Sequence, residues 1–346
     1  MAFALIAESG NPKQPAEVPP ASSTAASSLK PAGRACTSNC VVEWSRCIGH
    51  VRCHPMKLIQ AFLAILCAIS SGAAATTINS AEKYAYGANI GWLNAQGDVV
   101  NGAVVGEYVC SGYVWGANVG WIHLGGGTPA NGIRYQNNSA TDFGVNHDGL
   151  GNLRGYAYGA NIGWINFEES GAPKVDLTTG VLTGQIYSAN CGWISLSNKV
   201  ALVRTDIIQP GADSDGDGIT DAWELSYTNS LTAFTATSDA DGDGIPDQGE
   251  HVADTHPLDP GDLLRITSYL ALFGAGTETN TLAWKSKESR NYQIDYRTNL
   301  SLGTPWVDAT ALFAPDPGMN TTRSLVLTPS LSERYFRVEA VKPLSP

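Results

Sequence analysis

Two twelve-residue stretches carry oxygen atoms at intervals that suit a hard divalent cation. In the first, Asp213, Asp215 and Asp217 stand at loop positions 1, 3 and 5, with Gly218 at 6, Ile219 at 7, Asp221 at 9 and Glu224 at 12. The second repeats this 26 residues further on with Asp239, Asp241, Asp243, Gly244, Ile245, Asp247 and Glu250. Calcium takes roughly six to eight hard oxygens at ~2.3–2.6 Å. The spacing supplies three carboxylates, a backbone carbonyl at position 7, a direct or water-bridged ligand at 9 and a bidentate glutamate at 12. Gly218 and Gly244 permit the sharp turn in the middle of each loop. Calcium is therefore the expected cofactor. A solvated acidic linker would explain the charge of the stretch but not its glycine register.

These loops sit in a chain whose charge is unevenly spread. The 346 residues hold 21 Lys and Arg against 32 Asp and Glu, a net charge of −11. Asp213 to Asp262 contains thirteen acids and no Lys or Arg, so bound cations are the natural neutralisers. The acidic balance disfavours a nucleic-acid partner. The length allows two or three domains.

Met56-Lys57 opens a basic region, Leu58 to Ile69 is apolar, and Ser71 to Ala75 ends in an A-x-A pattern. Residues 56–75 therefore read as a secretory signal peptide cut after Ala75, which places the mature protein outside the cell or on its surface. The apolar run is shorter than the about 20 residues a membrane span takes, and no transmembrane segment is expected in the mature chain. Residues 1–55, rich in Ala, Ser and Pro, are expected to be either untranslated, with the start at Met56, or disordered. Cys36, Cys40, Cys47 and Cys53, with His50 and His54 nearby, fit no familiar zinc spacing. After cleavage only Cys110 and Cys191 remain, which leaves a disulfide or two buried thiols.

Residues 76–204 repeat a pattern four times: Tyr84-Ala85-Tyr86-Gly87-Ala88-Asn89-Ile90-Gly91-Trp92, then units ending in Trp121, Trp164 and Trp193. The Trp-to-Trp steps are 29, 43 and 29 residues, with a longer loop, Gly125 to Asp148, in the middle. Each unit reads as strand, turn, strand, and small units of this kind borrow their core from their neighbours. A residue recurring at one register ordinarily fills the shared core, so Trp92, Trp121, Trp164 and Trp193 are expected inside. The other reading leaves these four rings as contacts for sugars. Asn89, Asn118, Asn161 and Asn190 are expected to close their own turns with their side chains. The motif resembles the "GYAWGENIGWINF"-type repeats of secreted bacterial surface proteins, which implies location more than activity.

The acidic loops lack an incoming helix, since Thr205 to Ala212 is a Pro/Gly linker, and only Asp221 to Tyr227 follows as a short helix. They resemble bacterial thrombospondin type 3 repeats, D-x-D-G-D-G-x-x-D-x-x-E, matching at every position, with Asp254-Thr255-His256-Pro257-Leu258-Asp259-Pro260 as the usual exit. Dockerin modules are a rival with a different loop-to-helix spacing. The resemblance implies that residues 205–262 form a calcium-stiffened stalk with little core. Residues 263–346 alternate in five to seven short strands, among them Tyr292–Tyr296 and Tyr335–Val341, with Trp284 and Trp306 as core candidates. They look like a fibronectin type III-like β-sandwich. The chain closes on Lys342 to Pro346 with no apolar anchor after the last strand.

The mature chain holds His123, His147, His251 and His256, none of them in an H-x-x-x-H metal pair, and shows no nucleophile elbow, phosphate-cradling loop or dinucleotide fingerprint. Glu168 and Glu169 are adjacent and, on a strand, would point to opposite faces, which suits no acid/base pair. His251 and His256 are expected at the surface. The whole reads as a mainly β, non-catalytic, secreted protein with an extracellular structural or adhesive role. Its partners would be calcium ions and a polysaccharide or cell-surface protein. The alternative is a carbohydrate-binding protein acting on extracellular polysaccharide through the aromatic repeats.

Overall fold

The computed structural model describes residues 2–3, 7–10, 76–98, 100–301, 303–331 and 333–346, which belong to one compact unit. The expected signal peptide, Cys36, Cys40, Cys47 and Cys53 lie outside the described residues. Before Met56, where the composition predicts no regular structure, Ala2–Phe3 (β1) and Ala7–Gly10 (β2) pair with the last strand, Glu333–Val341, whose open edge offers them backbone partners. No described helix is long and apolar enough to cross a membrane.

Each aromatic repeat folds as a hairpin with a three-residue turn. Ile78–Gly87 (β3) pairs with Gly91–Asn94 (β4), so that Gly87 faces Gly91, Tyr86 faces Trp92 and Ala85 faces Leu93. The pattern recurs in Cys110–Gly116 (β6) with Gly120–Gly126 (β7), and in Leu153–Gly159 (β9) with Gly163–Asn166 (β10). Gln185–Ser188 (β13) with Gly192–Ser195 (β14) completes the set. Val104–Val105 (β5), Val145–His147 (β8), Lys174–Val175 (β11), Val181–Thr183 (β12) and Leu202–Thr205 (β15) extend the sheet at its other end.

Neighbouring hairpins then pair with one another. Leu93 meets Gly116, Ile122 meets Gly159, Ile165 meets Ser188, and Ile194 returns to Gly87. The result is a closed, antiparallel, eight-stranded β-barrel, so these strands have no open edge along the ring.

A barrel of eight strands has an interior just wide enough for side chains to fill. Strand alternation assigns Ala85, Leu93, Val114, Ile122, Ala157, Ile165, Ile186 and Ile194 to that interior. The four tryptophans lie one register away and therefore point outward, each 44–48 % exposed, which corrects their expected place in the core. Outside, each packs on a tyrosine of the facing strand, edge-on for Trp92 with Tyr86 at 5.2 Å and tilted for Trp193 with Tyr187 at 5.0 Å. What closes the turn end is instead the residue before each turn glycine: Ile90, Val119, Ile162 and Cys191 are all buried.

The repeated asparagines do not close their own turns. Asn118 Nδ2 donates to Ile90 O (3.0 Å), Asn161 to Val119 O (3.1 Å) and Asn190 to Ile162 O (3.0 Å). Asn89 completes the circle on Cys191 O (3.0 Å). Each amide thus satisfies a carbonyl of the preceding unit, and the four turns are fastened in a ring. The accepting residue precedes a glycine at φ of 70–77°, a conformation that a side chain would strain.

The irregular fourth unit follows from packing. A Cβ on Gly159 would lie 2.8 Å from Ile162 Cγ1, and one on Gly116 2.6 Å from Val119 Cγ2. In the fourth unit the glycine has become Ser188 and the large residue has shrunk to Cys191, keeping the pair's volume in hand. Cys191 and Cys110 are both buried free thiols, so the disulfide does not form. Cys191 sits at the turn end, whereas the length of β6, ~20 Å at ~3.3 Å per residue, carries Cys110 away from it. Bonded cysteines need Cα atoms within ~7 Å.

After the barrel come two helices, Asp221–Tyr227 (α1) and Asp247–Ala253 (α2), and two small antiparallel sheets. Ile266–Phe273 (β16), Glu278–Lys285 (β17) and Asn320–Leu327 (β20) form one sheet. Asn291–Arg297 (β18), Val307–Asp308 (β19) and Glu333–Val341 (β21) form the other. Both contribute to one core in which Leu282, Trp284, Tyr292, Ile294, Phe336 and Val338 are fully buried or nearly so, as expected for Trp284.

The segment between barrel and sheets departs from the extended stalk implied by its resemblance. Ile219, Trp223 and Phe234 bury one another and pack on Tyr108 of the barrel. Burying side chains of this size stabilises by ~1.5–3 kcal/mol each, a reason for the segment to fold back rather than stand free.

The packing of the fourth unit can be transplanted. Gly159→Ser alone is expected to destabilise by about 1–3 kcal/mol through overpacking against Ile162. Adding Ile162→Cys should cost less than the sum of the two single changes, as measured by a double-mutant cycle in urea. Additivity to within ~0.5 kcal/mol would refute this account of the Ser188–Cys191 pair.

Candidate functional site

Each acidic loop is shaped by its first aspartate. Asp213 accepts from the N–H of Gly216 (2.8 Å) and of Gly218 (3.0 Å), and Asp239 from Gly242 (2.8 Å) and Gly244 (2.9 Å). Those glycines have φ of 78–95°, so the loop can wrap around its own carboxylate. In this conformation one oxygen from each of Asp213, Asp215 and Asp217 lies within 4.8 Å of the others, and Asp239, Asp241 and Asp243 gather likewise.

The helices deliver the twelfth residue. Glu224 on α1 and Glu250 on α2 are fully buried. Among the described residues, both Glu224 oxygens lack a hydrogen-bond partner, as do Glu250 Oε2 and the Oδ2 atoms of Asp217, Asp241 and Asp243. Buried polar atoms are nearly always paired, and buried charges are paired or bind metals. Burial foremost, then the neighbouring aspartates, pushes the Glu224 carboxyl up to about 7 and that of Glu250 up to about 8. Three clustered aspartates and one buried glutamate serve each centre, with no Lys or Arg in either loop, so an all-oxygen site for a hard divalent cation fits the donors present.

Two expected ligands have another task. Asp221 accepts from Ser214 N (2.7 Å) and Oγ (2.6 Å), and Asp247 from Ala240 N (3.0 Å) and Ser238 Oγ (2.5 Å). They stand apart from the aspartate clusters and brace the loop against the helix that follows it. Ile219 buries its side chain beneath the first loop, while the Ile245 side chain is half-exposed.

The two centres are joined. Gln248 Nε2 on α2 donates to Asp217 O in the first loop (3.3 Å). Thr220 Oγ1, just before α1, lies 3.0 Å from His251 Nε2 and 3.2 Å from Tyr108 OH. Lys342 Nζ, beyond β21, donates to His251 Nε2 (2.9 Å) and pairs with Glu107 at 2.9 Å. Arg290 donates to the carbonyls of His251 (3.0 Å) and Val252 (2.6 Å). His251 is therefore buried rather than superficial; burial first, then Lys342 and Arg290, pushes its pKa down to about 2 and keeps it neutral. Sequence reasoning missed this network, because Glu107, His251 and Lys342 are remote along the chain and no spacing marks them.

The chain matches no protein-family model, no curated protein and no solved structure.

A carboxyl whose folded pKa exceeds its unfolded value binds more protons folded than unfolded, so stability falls as pH rises across that interval. In chelator, the melting temperature is expected to drop between the ordinary glutamate value of 4.5 and about 8, the span over which Glu224 and Glu250 must ionise. With calcium present the drop should vanish. Glu250→Gln should raise the melting temperature in chelator at pH 8 while shrinking the calcium-induced rise. A variant less stable than the parent in both buffers would show that Glu250 is not a ligand.

Proposed function

We propose that this is a secreted, non-catalytic calcium-binding protein with an extracellular structural or adhesive role, in which two ions fasten the barrel to the C-terminal sheets. The observation that carries this reading is the pair of fully buried glutamates, Glu224 and Glu250, each with an unpartnered oxygen and each repelled by aspartates of its own loop, beside a cluster of three gathered aspartates. The resemblance to thrombospondin type 3 repeats supports calcium as the ion, and the signal-like residues 56–75 support export. The two sheets sharing one core are compatible with the fibronectin type III-like sandwich. In this proposal the acidic segment is a clasp: Thr220 and His251 each adjoin a calcium loop or its helix and bond toward Tyr108 and Lys342.

A second reading, binding of extracellular polysaccharide by the barrel, is favoured by the outward placement of Trp92, Trp121, Trp164 and Trp193. Flat aromatic surface left in solvent is available for stacking.

Calorimetric titration of the secreted protein with calcium is expected to give two bound ions. At a free concentration a hundredfold above Kd, each should add about 2.7 kcal/mol of stability. Limited proteolysis should show cleavage within residues 205–262 only in chelator. No heat and no change in melting temperature would overturn the calcium reading.

A further inference from the structure

We propose that the cleft beside Trp164 binds a neutral polysaccharide built of pyranose rings with equatorial hydroxyls, a proposal that rests on the carbohydrate reading of the barrel and assigns it to one of the four repeats. The second Trp-to-Trp step is 43 residues where its neighbours are 29, and the added chain forms a wall against the barrel's outer face. Between that wall and Trp164 lies a cleft of about 420 Å³ lined by Asn137, Asn138, Ser139, Phe143, Tyr156 and Trp164. Its volume falls in the ~300–1,000 Å³ range of ligand sites.

The platform is held still. Trp164 meets Phe143 at 5.1 Å and 85°, Tyr158 at 4.9 Å and 61°, and Tyr156 at 6.2 Å and 77°, all edge-on. Three rings thus fix its orientation, yet 45 % of the residue remains exposed. The wall is braced from within: Asn137 Oδ1 accepts from Gly144 N (3.0 Å), and Ser139 Oγ from Asp142 N (3.1 Å). Asp142 in turn accepts from Ala130 N (3.2 Å) and Gln136 N (3.1 Å). Binding to groups already ordered loses less entropy.

The chemistry of the lining selects the ligand. No lining residue is charged, so a phosphate, sulfate or uronate would find no counter-charge. The Asn138 amide and the Tyr156 hydroxyl make no hydrogen bond to the described residues and are free to meet hydroxyl groups. A pyranose with equatorial hydroxyls presents a flat C–H face to an indole and its hydroxyls around the rim, which matches one aromatic floor and a polar wall. Phe143 also stands edge-on to His123 at 5.5 Å, and His123 stacks on Tyr113 at 4.6 Å and 16°. The aromatic surface therefore continues into the second repeat, which favours a chain of sugars over a single one.

The test is electrophoresis of the full protein through gels containing hydroxyethyl cellulose, with calorimetry against cellohexaose. The parent protein should be retarded, Trp164→Ala should lose retardation, and Trp193→Ala, equally exposed but outside the cleft, should keep it. Asn138→Ala, on an exposed loop residue, should weaken binding several-fold with an unchanged melt, which decides the matter if Trp164→Ala fails to fold. No retardation, or equal losses in Trp193→Ala and Asn138→Ala, would overturn the site. A glycan array separates the two levels: binding to other sugars untouched by Trp164→Ala removes this cleft but leaves the carbohydrate reading, and no binding to any glycan removes both.

Discussion

Two buried glutamates facing like charge set the terms on which the region between barrel and sheets holds together. Removing a carboxylate from water costs several kcal/mol even after relaxation, and a lone one would neutralise by taking up a proton. Glu224 and Glu250 cannot relieve this by turning outward, because α1 and α2 are fixed by what they pack against. Trp223, one residue before Glu224, is buried on Phe234 and Tyr227. His251, one residue after Glu250, is held by Thr220 and Lys342. Loop, helix and the contacts with the barrel and the sheets therefore share the same short stretch of backbone. A change in charge at either centre is transmitted directly to the contacts with the barrel and the sheets.

The barrel solves a different problem by repetition. Four hairpins each bury one narrow aliphatic face, and none has enough interior of its own. Closure supplies it: the pairing of Ile194 with Gly87 joins the last hairpin to the first and removes the edges an open sheet would leave. The asparagine ring works at the same level, since every amide serves the preceding unit. Pseudo-symmetry also explains why the fourth unit could diverge. Ser188 and Cys191 both differ from the Gly and Ile or Val of the other units, and the Ser188 hydroxyl donates to Ile162 O at 3.3 Å.

How much of this could be read from the residues differs between the two regions. The acidic loops were legible in detail because a loop of this kind is a local object: its carboxylates fall within twelve residues, and the glycines that shape it lie among them. Even there, spacing alone did not separate the clustered aspartates from Asp221 and Asp247, which brace the loop. In the barrel, the strands and turns were legible from alternation and the Gly-Ala-Asn pattern. The facing was not. Period-2 alternation says that Trp92 and Leu93 lie on opposite faces but not which face is inside. Size pointed to tryptophan, whereas the interior of an eight-stranded ring admits aliphatic residues.

The sequence by itself determined the mainly β composition, the four hairpin units and the two acidic loops, because each is set by φ/ψ preference, alternation and ligand spacing within a few residues. Only the tertiary structure decided that the hairpins close into a ring, that the tryptophans face out and that Cys110 and Cys191 stay apart. It also decided that the acidic segment packs between barrel and sheets through Glu107, Thr220, His251 and Lys342. These outcomes depend on contacts between residues remote along the chain and on how much volume a closed ring can hold, and neither quantity is written in any local stretch.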